Sequence, residues 1–194
     1  MTDSELISAI SKNDVSAKKQ FYETYYPVLS GISIRYAKNK AQSNELLQNG
    51  MAHLLSHISN FKSNTNLILS DWVRNEFIKF CVEFIRNIRS EYYVASTVRV
   101  TDTPAKNYDL FVDAVLTDFK NVEYDVLIES LHQLVPSQRL IYNLHVVEEY
   151  DLRKAADILE ASEQTVKANL EKARYNLQKN IDKNFKSQKN EQSV

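Results

Sequence analysis

Apolar residues recur at three- and four-residue intervals along most of the chain, the period of helices with one buried face. Thr2 and Glu5 have the spacing of a capping box, and Leu6, Ile7 and Ile10 follow on one side. A second helix is predicted from about Val15 to Ala37, interrupted or kinked near Pro27 and Gly31 and rich in aromatics: Phe21, Tyr22, Tyr25, Tyr26 and Tyr36. A third starts at Ser43 as N-cap and carries Leu46, Leu47, Met51, Leu54, Leu55 and Ile58. After a polar loop, Lys62 to Asn66, a fourth runs from beyond Ser70 through Arg89, with Trp72, Phe77, Phe80, Phe84 and Ile88 as its apolar stripe.

The period then lapses. Residues 92–108 read as an extended or mobile connector and 109–120 as a short acidic amphipathic helix. From Glu123 the helical pattern resumes. One helix spans about Ser137 to Val147, and Asp151 caps a short one bearing Leu152, Ala155, Ala156, Ile158 and Leu159. Ser162 caps a third with Val166, Leu170, Ala173, Leu177 and Ile181 on one face. The polar tail after about Lys183 reads as frayed.

Composition agrees with this all-α reading. Only 2 Gly and 3 Pro occur among 194 residues, too few for a turn-rich β fold or a glycine-rich phosphate loop. The lone cysteine, Cys81, excludes an internal disulfide and fits a buried apolar position among Phe80, Val82 and Phe84. His53 and His57 have the spacing of two metal ligands on one helix, but they lack the intervening glutamate of a zinc hydrolase and any evident third ligand. No nucleophile–base pair stands out, so the reading is of a protein that is not an enzyme and takes no cofactor. The polar, acidic start and the absence of a long apolar run predict a cytoplasmic chain without membrane insertion.

The formal net charge of −1 hides a pattern. Residues 1–91 carry 11 basic and 9 acidic groups, residues 92–129 carry 3 and 7, and residues 130–194 carry 10 and 9. Two small helical domains joined by an acidic connector are therefore expected: 1–91, a linker at 92–121, and 122–194. In the last, two short helices separated by a tight turn form a helix-turn-helix pattern. From Gln164 to Lys189 there are 7 Lys or Arg against 2 acidic residues. Exposed positions on the second helix include Glu163, Gln164, Lys167, Ala168, Asn169, Lys172 and Arg174. Cations there suit phosphates, and Gln or Asn suits adenine edges in the major groove.

The segment Tyr142 to Arg174 resembles the DNA-binding C-terminal domain of bacterial RNA polymerase sigma factors, in the manner of the small extracytoplasmic-function (ECF) group. Ser162, Thr165, Val166, Lys167, Leu170, Ala173 and Arg174 carry its core motif. The N-terminal third resembles the same family. Ala17 to Leu29 contains a Tyr-Tyr-Pro signature, Asn44-Glu-Leu-Leu-Gln-Asn49 is similar to the polymerase clamp-binding segment, and Trp72 with Lys79, Glu83 and Arg86 is similar to the helix that opens the minus-ten element.

The resemblance implies that Glu45, Leu46, Leu47 and Gln48 bind polymerase and that Lys79, Arg86 and Arg89 lie near minus-ten DNA. It implies that Thr165, Lys167, Asn169, Lys172 and Arg174 contact the minus-thirty-five element. Trp72 and the phenylalanines are assigned mainly to core. The implied partners are core RNA polymerase and promoter DNA, with an anti-sigma factor or response regulator as regulator, and the free protein is expected to be a monomer. The chain departs from the family pattern at Asn49, Gly50, Ile78, Glu149 and Glu160. If position 160 takes positive φ, a glutamate there costs about 1–2 kcal/mol. Two other readings remain open on the same residues: a sigma-fold interaction protein without promoter recognition, and an autonomous, dimeric helix-turn-helix regulator.

Overall fold

A computed structural model describes residues 1–61, 68–88 and 122–191, with side chains to residue 185. The predicted loop at 62–66, the end of the fourth helix at Arg89, the connector at 92–108 and the helix at 109–120 lie outside the described residues. All regular structure among the described residues is helical. The chain divides into two compact units, Met1–Phe84 and Ile85–Val194.

The first unit contains α1 (Asp3–Ser11), α2 (Val15–Tyr36), α3 (Lys40–His57) and α4 (Leu69–Asn87), the last turn of which falls beyond the division. Thr2 and Glu5 form the expected capping box: the Thr2 N–H donates to Glu5 Oε2 at 2.8 Å and the Glu5 N–H to Thr2 Oγ1 at 3.3 Å. Helix α1 packs on α2 and on the 3-10 turn Ile58–Asn60, and α2 packs along α3.

Helix α2 is unbroken through Pro27, where a break or kink was expected. Proline withholds one hydrogen bond from the helix interior, but Pro27 lies on the solvent side, where water can take the abandoned carbonyl. Helix α3 starts one turn earlier than Ser43. Asn39 is its cap, accepting the Gln42 N–H at 2.9 Å, and Ser43 is buried inside the helix.

The buried stripe of α4 is Leu69, Val73, Phe77, Ile78, Cys81, Val82 and Ile85. Phe77 is core as expected, whereas Trp72, Phe80 and Phe84 lie on the adjoining ridge, half-buried. Gly50 accounts for how close α4 comes to α3: a Cβ there would lie 2.3 Å from Cε2 of Phe77 and 3.1 Å from Cδ1 of Phe80. A glycine that looks out of place by helix propensity is the one residue the Phe77 ring admits.

The second unit contains α5 (Tyr124–His132), α6 (Pro136–Tyr142), α7 (Leu152–Leu159) and α8 (Glu163–Glu191). Between α6 and α7 one turn, Asn143–Val147, winds as a π-helix, so the regular helix expected to reach Val147 ends at Tyr142. The long α8 is the spine, packing against α5, α6 and α7. Leu131 and Leu134 meet Ala173, Leu177 and Ile181, with Val122, Leu127 and Tyr142 around them. Its backbone stays helical to Glu191, beyond the expected fraying point at Lys183.

A charged side chain lies at the centre of this unit. Arg139 is 2% exposed, and its Nη1 donates to the carbonyls of Leu134 at 2.7 Å and His132 at 3.2 Å. The guanidinium thus serves carbonyls at the C-terminal end of α5, where the helix dipole favours a cation.

Candidate nucleic-acid interface

Helices α7 and α8 form the helix-turn-helix. Asp151 caps α7 by accepting the Lys154 N–H at 2.7 Å, and Ser162 Oγ accepts the Thr165 N–H at 3.1 Å at the start of α8. The turn between them is tight because Glu160 takes left-handed backbone, φ 51°. Glu149, in the turn before α7, does the same at φ 58°. Both glutamates therefore carry the strain that a glycine would avoid.

Val166, Leu170, Ala173 and Leu177 are buried, which turns the opposite side of α8 outward. Helical spacing puts Gln164, Thr165, Ala168 and Lys172 on that side, Lys167 and Arg174 on one flank, and Asn169 and Asn176 on the other. Gln164, Thr165, Lys167 and Ala168 are exposed, while Asn169, Lys172 and Arg174 are half-buried.

Two of the expected DNA-contacting residues are already engaged locally. Thr165 Oγ1 is 2.8 Å from Ser162 Oγ, and Asn169 Nδ2 donates to the Thr165 carbonyl at 3.1 Å. Arg174 lies close enough to Tyr142 for its positive charge to pull the phenol's pKa down, against the larger upward push of burial. Lys167 and Lys172 make no ion pair among the described residues.

Sequence reasoning passed over Arg153 and Lys154. Both are exposed on the first turns of α7, and the Lys154 ammonium sits 3.8 Å above the Tyr150 ring. The signal was present in the Leu-Arg-Lys run directly after the Asp151 cap. In a helix-turn-helix the first helix crosses the DNA backbone, which is where such cations belong.

In the first unit, Leu46 is fully buried and Leu47 is 8% exposed, so both are core. Their neighbours Glu45 and Gln48 are exposed. Lys79 is exposed and lies 3.7 Å from Glu76 Oε2. Arg86 is in the last turn of α4, and Arg89 is outside the described residues. Trp72 stands edge-on to Phe61 with ring centroids 6.0 Å apart and is half-buried.

His53 and His57 stack at 4.2 Å, and His53 Nε2 is 3.3 Å from Glu76 Oε1. The Nδ1 of His57 faces the His53 carbonyl at 2.8 Å. Among the described residues no group of three or more His, Cys, Asp or Glu is arranged to hold a metal ion. Nor is any described helix long and apolar enough to cross a membrane.

Residues 124–177 match the family model described as Sigma-70, region 4. No curated protein sequence matches the chain. Among solved structures the chain is similar to the sigma factor RpoE of Bartonella quintana, crystallised in complex with the anti-sigma factor NepR. The TM-score is 0.53 at 19% identity, covering 84% of this chain and 96% of that one. At that identity the likeness is one of fold.

Proposed function

We infer that the chain is a sigma factor of the sigma-70 family, of the ECF type, which binds core RNA polymerase and directs promoter-specific initiation. The observation that carries this reading is the region 4 match over residues 124–177, on a helix-turn-helix whose second helix keeps a polar, cation-bearing outer face.

In this reading the outer face of α8 enters the major groove of the minus-thirty-five element. Lys167 and Lys172, with Arg153 and Lys154 from α7, neutralise phosphates, and polar side chains of α8 meet base edges. The first unit supplies the other grip. Glu45 and Gln48 face the polymerase clamp, held in place by buried Leu46 and Leu47. Lys79, Arg86 and Arg89 attract the minus-ten DNA, and the half-exposed Trp72 offers a face to an unpaired base, a stacking contact of about 1–3 kcal/mol.

The linker at 92–121, with its acidic composition, is assigned to the polymerase's basic channels. The protein acts without covalent chemistry of its own, in the cytoplasm, as a monomer when free. RpoE of Bartonella quintana is held by an anti-sigma factor, and a regulator of that kind, or a response regulator, is proposed here too.

The test is binding of the full chain to bacterial core RNA polymerase, followed by run-off transcription on genomic fragments of its host. Binding with initiation from defined start sites is the expected result. Binding without initiation would reduce the protein to a polymerase-associated modulator, and no binding at near-physiological salt would overturn the reading.

A further inference from the structure

We propose that Gln164 is the residue by which this chain selects its minus-thirty-five sequence, reading an adenine, with Ala168 beside it accepting a thymine methyl. The inference rests on the sigma-factor reading and asks which side chain reads a base. Hydrogen bonding inside α8 separates the candidates.

Asn169 gives its amide Nδ2 to the Thr165 carbonyl at 3.1 Å, and the Thr165 hydroxyl is paired with Ser162 Oγ at 2.8 Å. Further along, Asn176 donates to Gln138 Oε1 at 2.9 Å and Asn180 to the Ser130 carbonyl at 3.1 Å. Each of these amides is turned along or into the domain. Gln164 is different. It is exposed, follows directly on the first residue of α8, and its amide makes no hydrogen bond to any described residue.

A helix-turn-helix reads bases with the N-terminal part of its second helix. A glutamine carboxamide offers one donor and one acceptor in one plane, the complement of adenine N7 and N6. Ala168, four residues on and also exposed, lies beside it on the same face. Its methyl leaves room for, and makes apolar contact with, the thymine C5-methyl, where a longer side chain would be in the way. Lys167 and Lys172 are point charges suited to phosphate, and a lysine that reaches a base selects guanine, not adenine.

The experiment uses holoenzyme assembled from the full chain and core polymerase, with a promoter library randomised across the minus-thirty-five region and run-off transcripts sequenced. The unmodified protein should require adenine at one position. Gln164→Ala should erase that preference, lowering discrimination about ten- to hundredfold there and leaving the other positions alone. Gln164→Arg should move the preference from adenine to guanine, whose O6 and N7 match a guanidinium. Lys172→Ala should lower output from all sequences alike. If both Gln164 variants initiate with an unchanged preference, the assignment is wrong and the sigma reading stands. If the unmodified chain fails to bind core polymerase, the sigma reading fails and the assignment falls with it.

Discussion

Asn184 near the end of α8 donates from Nδ2 to the hydroxyl of Ser130 in α5 at 2.9 Å, across 54 residues of sequence, and accepts from Gln133 Nε2 at 3.3 Å. Together with Asn180 on the Ser130 carbonyl and Asn176 on Gln138, it forms a seam of amides that sets the register of the spine helix against α5 and α6. Apolar packing alone tolerates small slides of one helix along another, whereas paired amides have one alignment in which all are satisfied.

Asn184 is 9% exposed, so removing its amide strands the Ser130 hydroxyl, which is fully buried. Asn184→Ala should therefore cost about 1–3 kcal/mol in urea unfolding of the full chain. Ser130→Ala should cost less once Asn184 is already gone. Strict additivity of the two would show that they are not coupled.

Gly50→Ala tests the approach of α4 to α3. Alanine is the better helix former by about 1 kcal/mol. Its methyl nevertheless has to displace a fully buried Phe77 ring that lies 2.3 Å from the Cβ position. The net change should be a loss of roughly 1–3 kcal/mol. In a Phe77→Leu background the loss should shrink or reverse. A stabilised single Gly50→Ala variant would mean that the helices do not meet as described.

These two predictions also mark what could be read from the chain beforehand. The described helices and the caps at Thr2, Asp151 and Ser162 were legible, because each depends on a few neighbouring residues with strong local preferences, whereas the left-handed turn at Glu160 could be raised only as a possibility from the family pattern. Gly50 and the Asn176–Asn184 seam were not. Their roles depend on partners far away in sequence, and an asparagine facing another helix has the same letter as one facing DNA. The burial of Leu46 and Leu47 was equally hidden, since the residues that cover an apolar face lie elsewhere in the chain. In α8 the bond from the Asn169 amide to the Thr165 carbonyl was not announced by the sequence either.

The phosphate assignments predict a salt signature. Holoenzyme binding to promoter DNA should weaken in Lys167→Ala and in Lys172→Ala. The slope of log K against log salt should fall by about 0.9 for each contact removed. Arg174→Ala should change the slope less, because that guanidinium lies half-buried beside Tyr142. Titrating binding between 50 and 200 mM salt, approximately the range in which such slopes are well defined, separates the three. An unchanged slope for both lysine variants removes α8 from the phosphate backbone.

Tyr142 predicts an alkaline limit. Burial raises its phenol above the ordinary value of 10.0, with the Arg174 charge opposing. The folded state thus prefers the neutral phenol more strongly than the unfolded chain does. That preference is fully present below the unfolded value and is lost as pH rises through the folded one. Tyr142→Phe should leave stability near pH 7 little changed and make the decline above pH ~10 shallower. Arg174→Ala should push the phenol higher still, visible as a later tyrosinate absorbance step that disappears in the double variant. No movement of that step would place Arg174 away from the ring.

Glu149 offers a test of stored backbone strain. It is exposed, and its φ of 58° is a conformation that costs an L-residue about 1–2 kcal/mol and a glycine almost nothing. Part of that gain is cancelled because glycine also frees the unfolded chain, leaving a net stabilisation of about 0.5–1 kcal/mol for Glu149→Gly. In a unit of this size the melting temperature should rise by a few degrees. Glu149→Ala separates this effect from loss of a charge, since alanine keeps the strained backbone and removes the carboxylate. Alanine should therefore gain little. If it raises the melting temperature as much as glycine does, the carboxylate and not the left-handed turn was the burden.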